Sequence, residues 1–155
     1  MNSVLLIHPS KKVLGKDDSF YSKEYLTPSI GLGQLVSCLQ KEGFNASVID
    51  IRLPHRTLND VFLTIEQNNP LFVGITAFTN EITAAGKIAE EIKKRFKNCL
   101  IVIGGPHATA LPEKTLIEFP FFDIVIIGEG EKTIVKIAET LVSGNNDFSV
   151  INGIA

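Results

Sequence analysis

Two apolar runs in this chain stop abruptly at glycine. Ile101-Val102-Ile103 runs into Gly104-Gly105-Pro106-His107-Ala108-Thr109, and Ile124-Val125-Ile126-Ile127 runs into Gly128-Glu129-Gly130-Glu131. A buried parallel strand that ends this way brings bare backbone to a ligand-binding edge. The chemistry on offer is recognition. Gly104-Gly105 removes two side chains at a strand end, which leaves room for a bulky planar or rigid ligand against the main chain. A tight turn at positive φ accounts for one glycine, and the pair exceeds that need. Gly128 and Gly130 read equally well as turn residues. Glu129 and Glu131 can hydrogen-bond a ligand, although Glu131 also suits the positive end of a following helix. Thr76 and Thr79 place short hydroxyls after another apolar run, where helix capping competes for them and for Asn80. His107 stands in the turn after Pro106, a position expected at the surface yet close enough to touch a ligand. His8 ends the first apolar run at the same edge, and His55 lies off it.

Several reactive patterns do not occur. No GxxxxGK(S/T) phosphate loop follows the first run, which argues against a nucleoside triphosphatase. Gly31-Leu32-Gly33 lacks the third glycine of a dinucleotide fingerprint. No acidic cluster stands where a response regulator holds magnesium, and no Ser-His-Asp or Cys-His arrangement has a plausible elbow. No catalytic residue and no metal ligand is therefore expected within this chain.

The elements that must position these residues follow from periodicity. Val4–Ile7, Val48–Ile51, Leu71–Ile75, Leu100–Ile103 and Ile124–Ile127 are continuous apolar runs, the pattern of parallel strands covered on both faces. Helical stripes separate them: Leu32, Leu35, Val36 and Leu39; Leu58, Val61, Phe62 and Ile65; Ile82, Ala85, Ala89, Ile92 and Phe96; a short link around 111–119; and Ile134, Ala138 and Leu141 with Val135 and Val142. Strict alternation predicts an α/β fold, a doubly wound five-stranded parallel sheet of flavodoxin-like order 2-1-3-4-5 with helices on both faces. Ligands bind such sheets outside the carboxyl ends of the strands. The loops there are a long one from His8-Pro9 to Pro28, then Thr76–Asn80, then those beginning at Gly104 and Gly128. The long loop, with Lys11, Lys12, Asp17, Asp18, Tyr21 and Tyr25, reads as a lid, a docking surface or a disordered insertion. On the third helix Glu90 with Lys94 and Glu91 with Arg95 stand four apart, as weak pairs on a solvated face. Residues 149–154 read as a short last strand or the start of a connection.

With 155 residues the chain fits one domain, and 45% hydrophobic with 21% charged residues is an ordinary globular balance. A net charge of -2 offers no nucleic-acid footprint. No apolar run approaches the roughly 20 residues of a membrane span. Met1-Asn2-Ser3 leads straight into a strand, so a cytoplasmic location is expected. Cys38 and Cys99 have no CxxC or CxxxCxxC partner and are expected to be buried thiols.

Taken together, Pro28–Gly43 with Asp50, Val73–Thr76, Gly104-Gly105-Pro106-His107-Ala108-Thr109 with Pro112, and Phe122-Asp123-Ile124 through Glu131 resemble the cobalamin-binding domain at the front of radical S-adenosylmethionine enzymes. Anaerobic magnesium-protoporphyrin monomethyl ester cyclases and cobalamin-dependent methyltransferases belong to that group. The resemblance covers nearly the whole chain, 1–155. It implies a fragment of a larger enzyme whose C-terminal radical domain carries S-adenosylmethionine and a 4Fe-4S cluster. It puts the cobalamin nucleotide tail near Thr76 and Gly104-Gly105, and the Gly128–Glu131 turn beside the corrin or the tail. The candidate cofactor-binding set is Thr76, Ala77, Phe78, Gly104, Gly105, Pro106, His107, Gly128, Glu129 and Gly130. The DxHxxG motif that supplies an axial histidine in methionine-synthase-like domains is missing, so base-off binding without that histidine is expected. Two alternatives stay open: a docking domain of the same ancestry that has lost the cofactor, and a flavin mononucleotide module using Ser19, Ser22 and Thr27.

Overall fold

Alternate residues of the first strand feed two different cores. In β1 (Ser3–His8) every residue is buried. Leu5 and Ile7 join one apolar cluster, and Val4 and Leu6 join another on the opposite face. That division explains the unbroken apolar run, because a strand covered on both faces has no solvent side on which to place polar residues. A computed structural model of the chain describes residues 2–16, 26–145 and 147–155. The expectations placed on Asp17, Asp18, Ser19, Tyr21, Ser22 and Tyr25 lie outside the described residues.

The sheet comprises β1, β2 (Asn45–Asp50), β3 (Val73–Thr76), β4 (Ile101–Gly104) and β5 (Ile124–Val125), all parallel in the order β2-β1-β3-β4-β5. The predicted doubly wound topology is the one observed. One face is covered by α2 (Leu58–Asn68) and α3 (Ile82–Arg95), whose Val61, Ile65, Ile88 and Ile92 meet Leu5, Ile7, Ile75 and Ile103. The other is covered by α1 (Ile30–Lys41) and α6 (Glu131–Val142), whose Leu32, Leu39, Ile134 and Ile137 meet Val4, Leu6, Val102 and Ile126. Short helices α4 (Pro106–Ala110) and α5 (Pro112–Glu118) fill the link between β4 and β5. Each fully buried Ile or Leu contributes roughly 1.5–3 kcal/mol.

Local signals set the helix ends. Ser29 accepts a hydrogen bond from Leu32 N–H at 3.4 Å and caps α1. Thr57 and Asp60 form a capping box at the start of α2. Asn69 ends α2 in the left-handed region at φ 41°.

Four expectations need correction. β2 is an edge strand, and Val48 is 41% exposed, so this run is not covered on both faces. β5 is shorter than the 124–127 run. After Val125 the chain turns to the terminal segment, where Val125 N–H donates to Ala155 O and Ile126 bridges Ile154 antiparallel. Arg95 does not pair with Glu91. It reaches Glu66 on α2 and lies over the rings of Phe62 and Phe96, with 5.1 and 5.7 Å to their centroids, because two flat apolar faces and a cross-helix carboxylate hold a guanidinium better than a solvated neighbour. Glu91 pairs instead with Lys87 and Lys94, and Glu90 pairs with Lys94 as expected. Finally, both cysteines are half-buried and free, and burial pushes the Cys99 thiol up to about 11 against the pull of Lys93. No helix among the described residues is long and apolar enough to cross a membrane.

Candidate functional site

Because β1, β3 and β4 are parallel neighbours, their carboxyl ends bring His8, Thr76 and Gly104 to one edge. The same face carries the first turns of α1 and α6. Between them lies a cleft of about 280 Å³.

Its rim is polar and open. Ser29, Gly31 and Gln34 of the α1 entrance stand on one side, and Gly128, Glu129, Gly130 and Glu131 of the α6 entrance on the other. Thr76, Phe78, Gly104, Gly105 and Pro106 form the lip above the strand ends, and Phe78 is 54% exposed. Two twelve-residue helices therefore direct their positive N-terminal ends at one opening, where the carboxylates of Glu129 and Glu131 also stand.

The floor is apolar. Leu6, Gly74 and Val102 sit side by side across three strands, and Ile126 and Ile134 close the sides. All four of the side-chain-bearing floor residues are 5% exposed or less. Gly74 is the notch in this row. A Cβ there would stand 2.7 Å from Leu6 Cδ2, so the leucine leans over the space a side chain would take.

Gly105 makes the lip possible. It has φ 96° and ψ 179°, a region that essentially only glycine occupies. A Cβ there would lie 2.7 Å from Thr76 Oγ1 and 2.9 Å from both N and O of Ala77. Around it the two loops are laced together. Ala77 N–H donates to Gly104 O at 3.1 Å, and His107 N–H donates to Ala77 O at 3.2 Å. The turn after β5 is pinned separately, by Gly128 N–H donating to Thr109 Oγ1 at 3.0 Å, with Gly128 at φ 76°.

Of the ten residues expected to bind a cofactor, Thr76, Phe78, Gly104, Gly105, Pro106, Gly128, Glu129 and Gly130 line the cleft. Ala77 and His107 do not. Ala77 is fully buried beneath the lip and acts through its peptide groups. His107 is only 7% exposed, which corrects its expected surface position. Pro106 starts α4 instead of ending a turn, so His107 is carried inward with Ala108. Its Nδ1 lies 3.2 Å from Thr79 Oγ1, and its Nε2 is buried without a hydrogen-bond partner among the described residues. Thr79 thus serves the histidine and does not line the cleft. Glu81 precedes α3, and its carboxylate accepts from Phe78 N–H at 3.1 Å. His8 is 5% exposed and lines the cleft, and its Nδ1 donates to the Pro9 carbonyl at 3.2 Å.

Sequence reasoning passed over the α1 side of the cleft, formed by Ser29, Gln34 and Leu35, and the whole floor. The signal for the α1 side was present in the strand order, which places α1 beside α6 on one face.

One ion pair buttresses the entrance to α1. Arg52 Nε and its terminal nitrogen hold the two oxygens of Asp50 at 2.9 and 2.7 Å, and the same nitrogen donates to Thr27 O at 3.1 Å. Burial works against ionisation of Asp50, but the hydrogen bonds and charge of Arg52 outweigh it and hold the carboxyl below its ordinary range.

Known proteins resemble this chain in sequence and in fold. The family model of the B12 binding domain matches residues 22–138. An uncharacterized methyltransferase of Pyrococcus horikoshii is 36% identical over 117 residues, which are 76% of this chain and 25% of that protein. The anaerobic magnesium-protoporphyrin IX monomethyl ester cyclase of Synechocystis sp. is 26% identical over 154 residues, 98% of this chain and 30% of the cyclase. The radical S-adenosylmethionine methyltransferase TsrM from Kitasatospora setae, solved with cobalamin and a 4Fe-4S cluster bound, shares the fold. It has a TM-score of 0.79 at 23% identity, covering 99% of this chain and 27% of TsrM. The chain spans between a quarter and a third of the length of these proteins.

Proposed function

The chain belongs to the B12 binding domain family, and from that premise we propose that its cleft holds the nucleotide tail of cobalamin in the base-off form, with the corrin lying across the lip. The observation that carries this reading is the grading of the cleft from a polar rim to an apolar floor. Cobalamin's tail has the same grading: a phosphodiester and a ribose near the ring, and an aromatic base at the end. The phosphodiester carries one negative charge. The entrances of α1 and α6 would meet it with their positive ends and with first-turn N–H groups that have no partner among the described residues, without requiring a basic patch. Thr76 and Ser29, whose hydroxyls line the cleft, would hold the ribose. Gly104 and Gly105 would let the tail lie close to the backbone, and Gly105 lets the β4 loop close onto Thr76 and Ala77, where a Cβ would collide with both.

The corrin's outer edge is a ring of neutral amides. The Glu129 carboxylate and the main-chain groups of the Gly128–Gly130 turn that have no partner among the described residues would offer acceptors and donors for them, while exposed Phe78 gives an apolar surface for the macrocycle. When bound, the cofactor would supply methyl-transfer or radical chemistry. The residues of this domain bind and orient the ring so that its upper face meets a radical S-adenosylmethionine domain, which we place in the C-terminal part of the same polypeptide. Methyl transfer or ring formation would take place at that junction. The side-chain contacts that select the substrate would belong to that second domain.

Retention of the ligand tests the proposal. The protein is mixed with hydroxocobalamin, or with flavin mononucleotide, freed of excess ligand by gel filtration and examined by absorbance. A retained base-off cobalamin spectrum is expected. Retained flavin, or no retained ligand from either mixture, overturns the reading. After reduction to cob(II)alamin, the electron paramagnetic resonance spectrum should lack nitrogen superhyperfine splitting, and a clear nitrogen triplet would refute the base-off assignment.

A further inference from the structure

The floor of the cleft does more than accept an aromatic base. We propose that it selects the kind of base, admitting cobamides that carry a benzimidazole and rejecting those that carry a purine. This inference rests on the tail occupying the cleft as described above.

Strand register builds the floor. Leu6, Gly74 and Val102 are direct neighbours across β1, β3 and β4, so they present one row to the end of the tail. Strand pairing on both sides of β3 already uses the peptide groups of that row. Ile126 and Ile134 complete the enclosure, and no side chain of the floor carries a polar atom. The polar side chains that also line the cleft begin beyond this row, with His8 two residues along β1 from Leu6 and Thr76 two residues along β3 from Gly74.

The two kinds of base differ at the edge that enters first. In a benzimidazole the edge farthest from the sugar is a carbocycle bearing only C–H or methyl groups. In a purine joined to the sugar through its five-membered ring, that edge is a pyrimidine with two ring nitrogens and an amino or carbonyl substituent. Placed over Gly74, the carbocycle buries apolar surface against Leu6, Val102 and Ile134. The pyrimidine edge gives up its hydrogen bonds to water and finds no partner in exchange. A buried polar group without a partner carries its full desolvation penalty, so the two cobamides should differ in affinity by about ten-fold or more. Leu6 leans over Gly74, where a Cβ would lie 2.7 Å from Leu6 Cδ2, so the surface that the edge meets above β3 is leucine side chain.

The test compares three corrinoids on the same 155-residue protein by equilibrium titration: cobalamin, the cobamide with adenine as its lower base, and cobinamide, which has no nucleotide. Cobalamin is expected to bind at least ten-fold more tightly than the adenine cobamide, and cobinamide more weakly than cobalamin. Equal affinity for cobalamin and the adenine cobamide overturns the selectivity while leaving the proposed function standing. Equal affinity for cobalamin and cobinamide shows that the tail is not in the cleft and overturns both. Failure of all three to bind overturns the functional reading itself. A variant checks the floor directly. Val102→Thr keeps shape and adds one hydroxyl at the end of the cleft, and circular dichroism establishes that it is folded. It should narrow the gap between cobalamin and the adenine cobamide several-fold, and an unchanged ratio would remove the floor as the source of the preference.

Discussion

Gly105→Ala should be among the most damaging single-methyl additions in this chain. Two costs add. The residue sits at φ 96° and ψ 179°, and holding alanine in such a region costs of order 1–3 kcal/mol. The new Cβ would also lie 2.7 Å from Thr76 Oγ1 and 2.9 Å from Ala77 N and O. Two of these neighbours are backbone atoms that cannot rotate away, so relief requires the β3 and β4 loops to part, an overpacking cost of about 1–3 kcal/mol. The sum is about 4 kcal/mol, a large share of the roughly 5–15 kcal/mol that holds a domain together. Urea unfolding followed by circular dichroism reads it out. With a slope of about 2 kcal/mol per molar urea, the midpoint should fall by about 2 M. Two other glycines separate the terms. Gly128 has φ 76°, and a Cβ added there would meet no atom within 4 Å, so Gly128→Ala should cost only the left-handed penalty of roughly 1–2 kcal/mol. Gly33 is helical with open space around it, and Gly33→Ala should stabilise by about 0.5–1 kcal/mol. If Gly105→Ala costs no more than Gly128→Ala, the contacts with Thr76 and Ala77 do not constrain the lip and the reasoning fails.

Other perturbations probe the supports of the cleft. Asp50→Asn keeps one acceptor for Arg52 but removes the charge from a pair whose side chains are only 16% and 7% exposed, and should cost about 1–2 kcal/mol once discounted for solvent access. Because the folded-state pKa of Asp50 is lowered, its contribution is complete above the unfolded value near 3.9 and is lost as pH falls through the folded value. Stability curves of the wild type and Asp50→Asn should therefore converge below about pH 4, and parallel curves down to pH 2 would contradict the linkage. Thr109→Val removes the only acceptor found for Gly128 N–H among the described residues. It should lower stability by about 1 kcal/mol and speed hydrogen exchange at Gly128, and unchanged exchange there would count against the pin. Thr79→Val strips His107 Nδ1 of its partner beside an Nε2 that has none among the described residues. It should cost about 1–3 kcal/mol in thermal or urea unfolding, and a neutral result would mean that the ring is satisfied in another way.

What could be read from the sequence followed the strength of the period behind it. The strand order was legible because Val4–Ile7 and Ile101–Ile103 are unbroken apolar runs separated by clear helical stripes, and parallel crossovers leave little choice of arrangement. The edge position of β2 was less legible. Its buried residues, Ala46 and Ile49, are set among exposed ones, yet Val48–Ile51 contains enough branched residues to imitate a central strand. The glycine-ended strands marked the right edge of the sheet, since a side chain missing where a chain turns is visible in one dimension. The floor was not, because Gly74 lies inside an apolar run, where a glycine reads as a weak point in a strand. Its meaning comes from register, which sets it between Leu6 and Val102.

His107 shows the same limit from the opposite direction. The turn chemistry around Gly104-Gly105-Pro106 directs attention outward, to a ligand or to solvent. Yet proline at the first position of α4 starts a helix, and one residue later the chain is already turning into the protein. His107 thereby becomes a support under the lip. Its N–H holds Ala77 and its ring reaches Thr79, so it fixes the β3 loop from below while Gly105, lacking a side chain, lets the β4 loop close onto Thr76 and Ala77. The two residues have complementary tasks, one contributing a buried ring and the other the absence of a side chain. The lip depends on both, because the two loops pack this closely only when one gives up a side chain and the other is held from beneath.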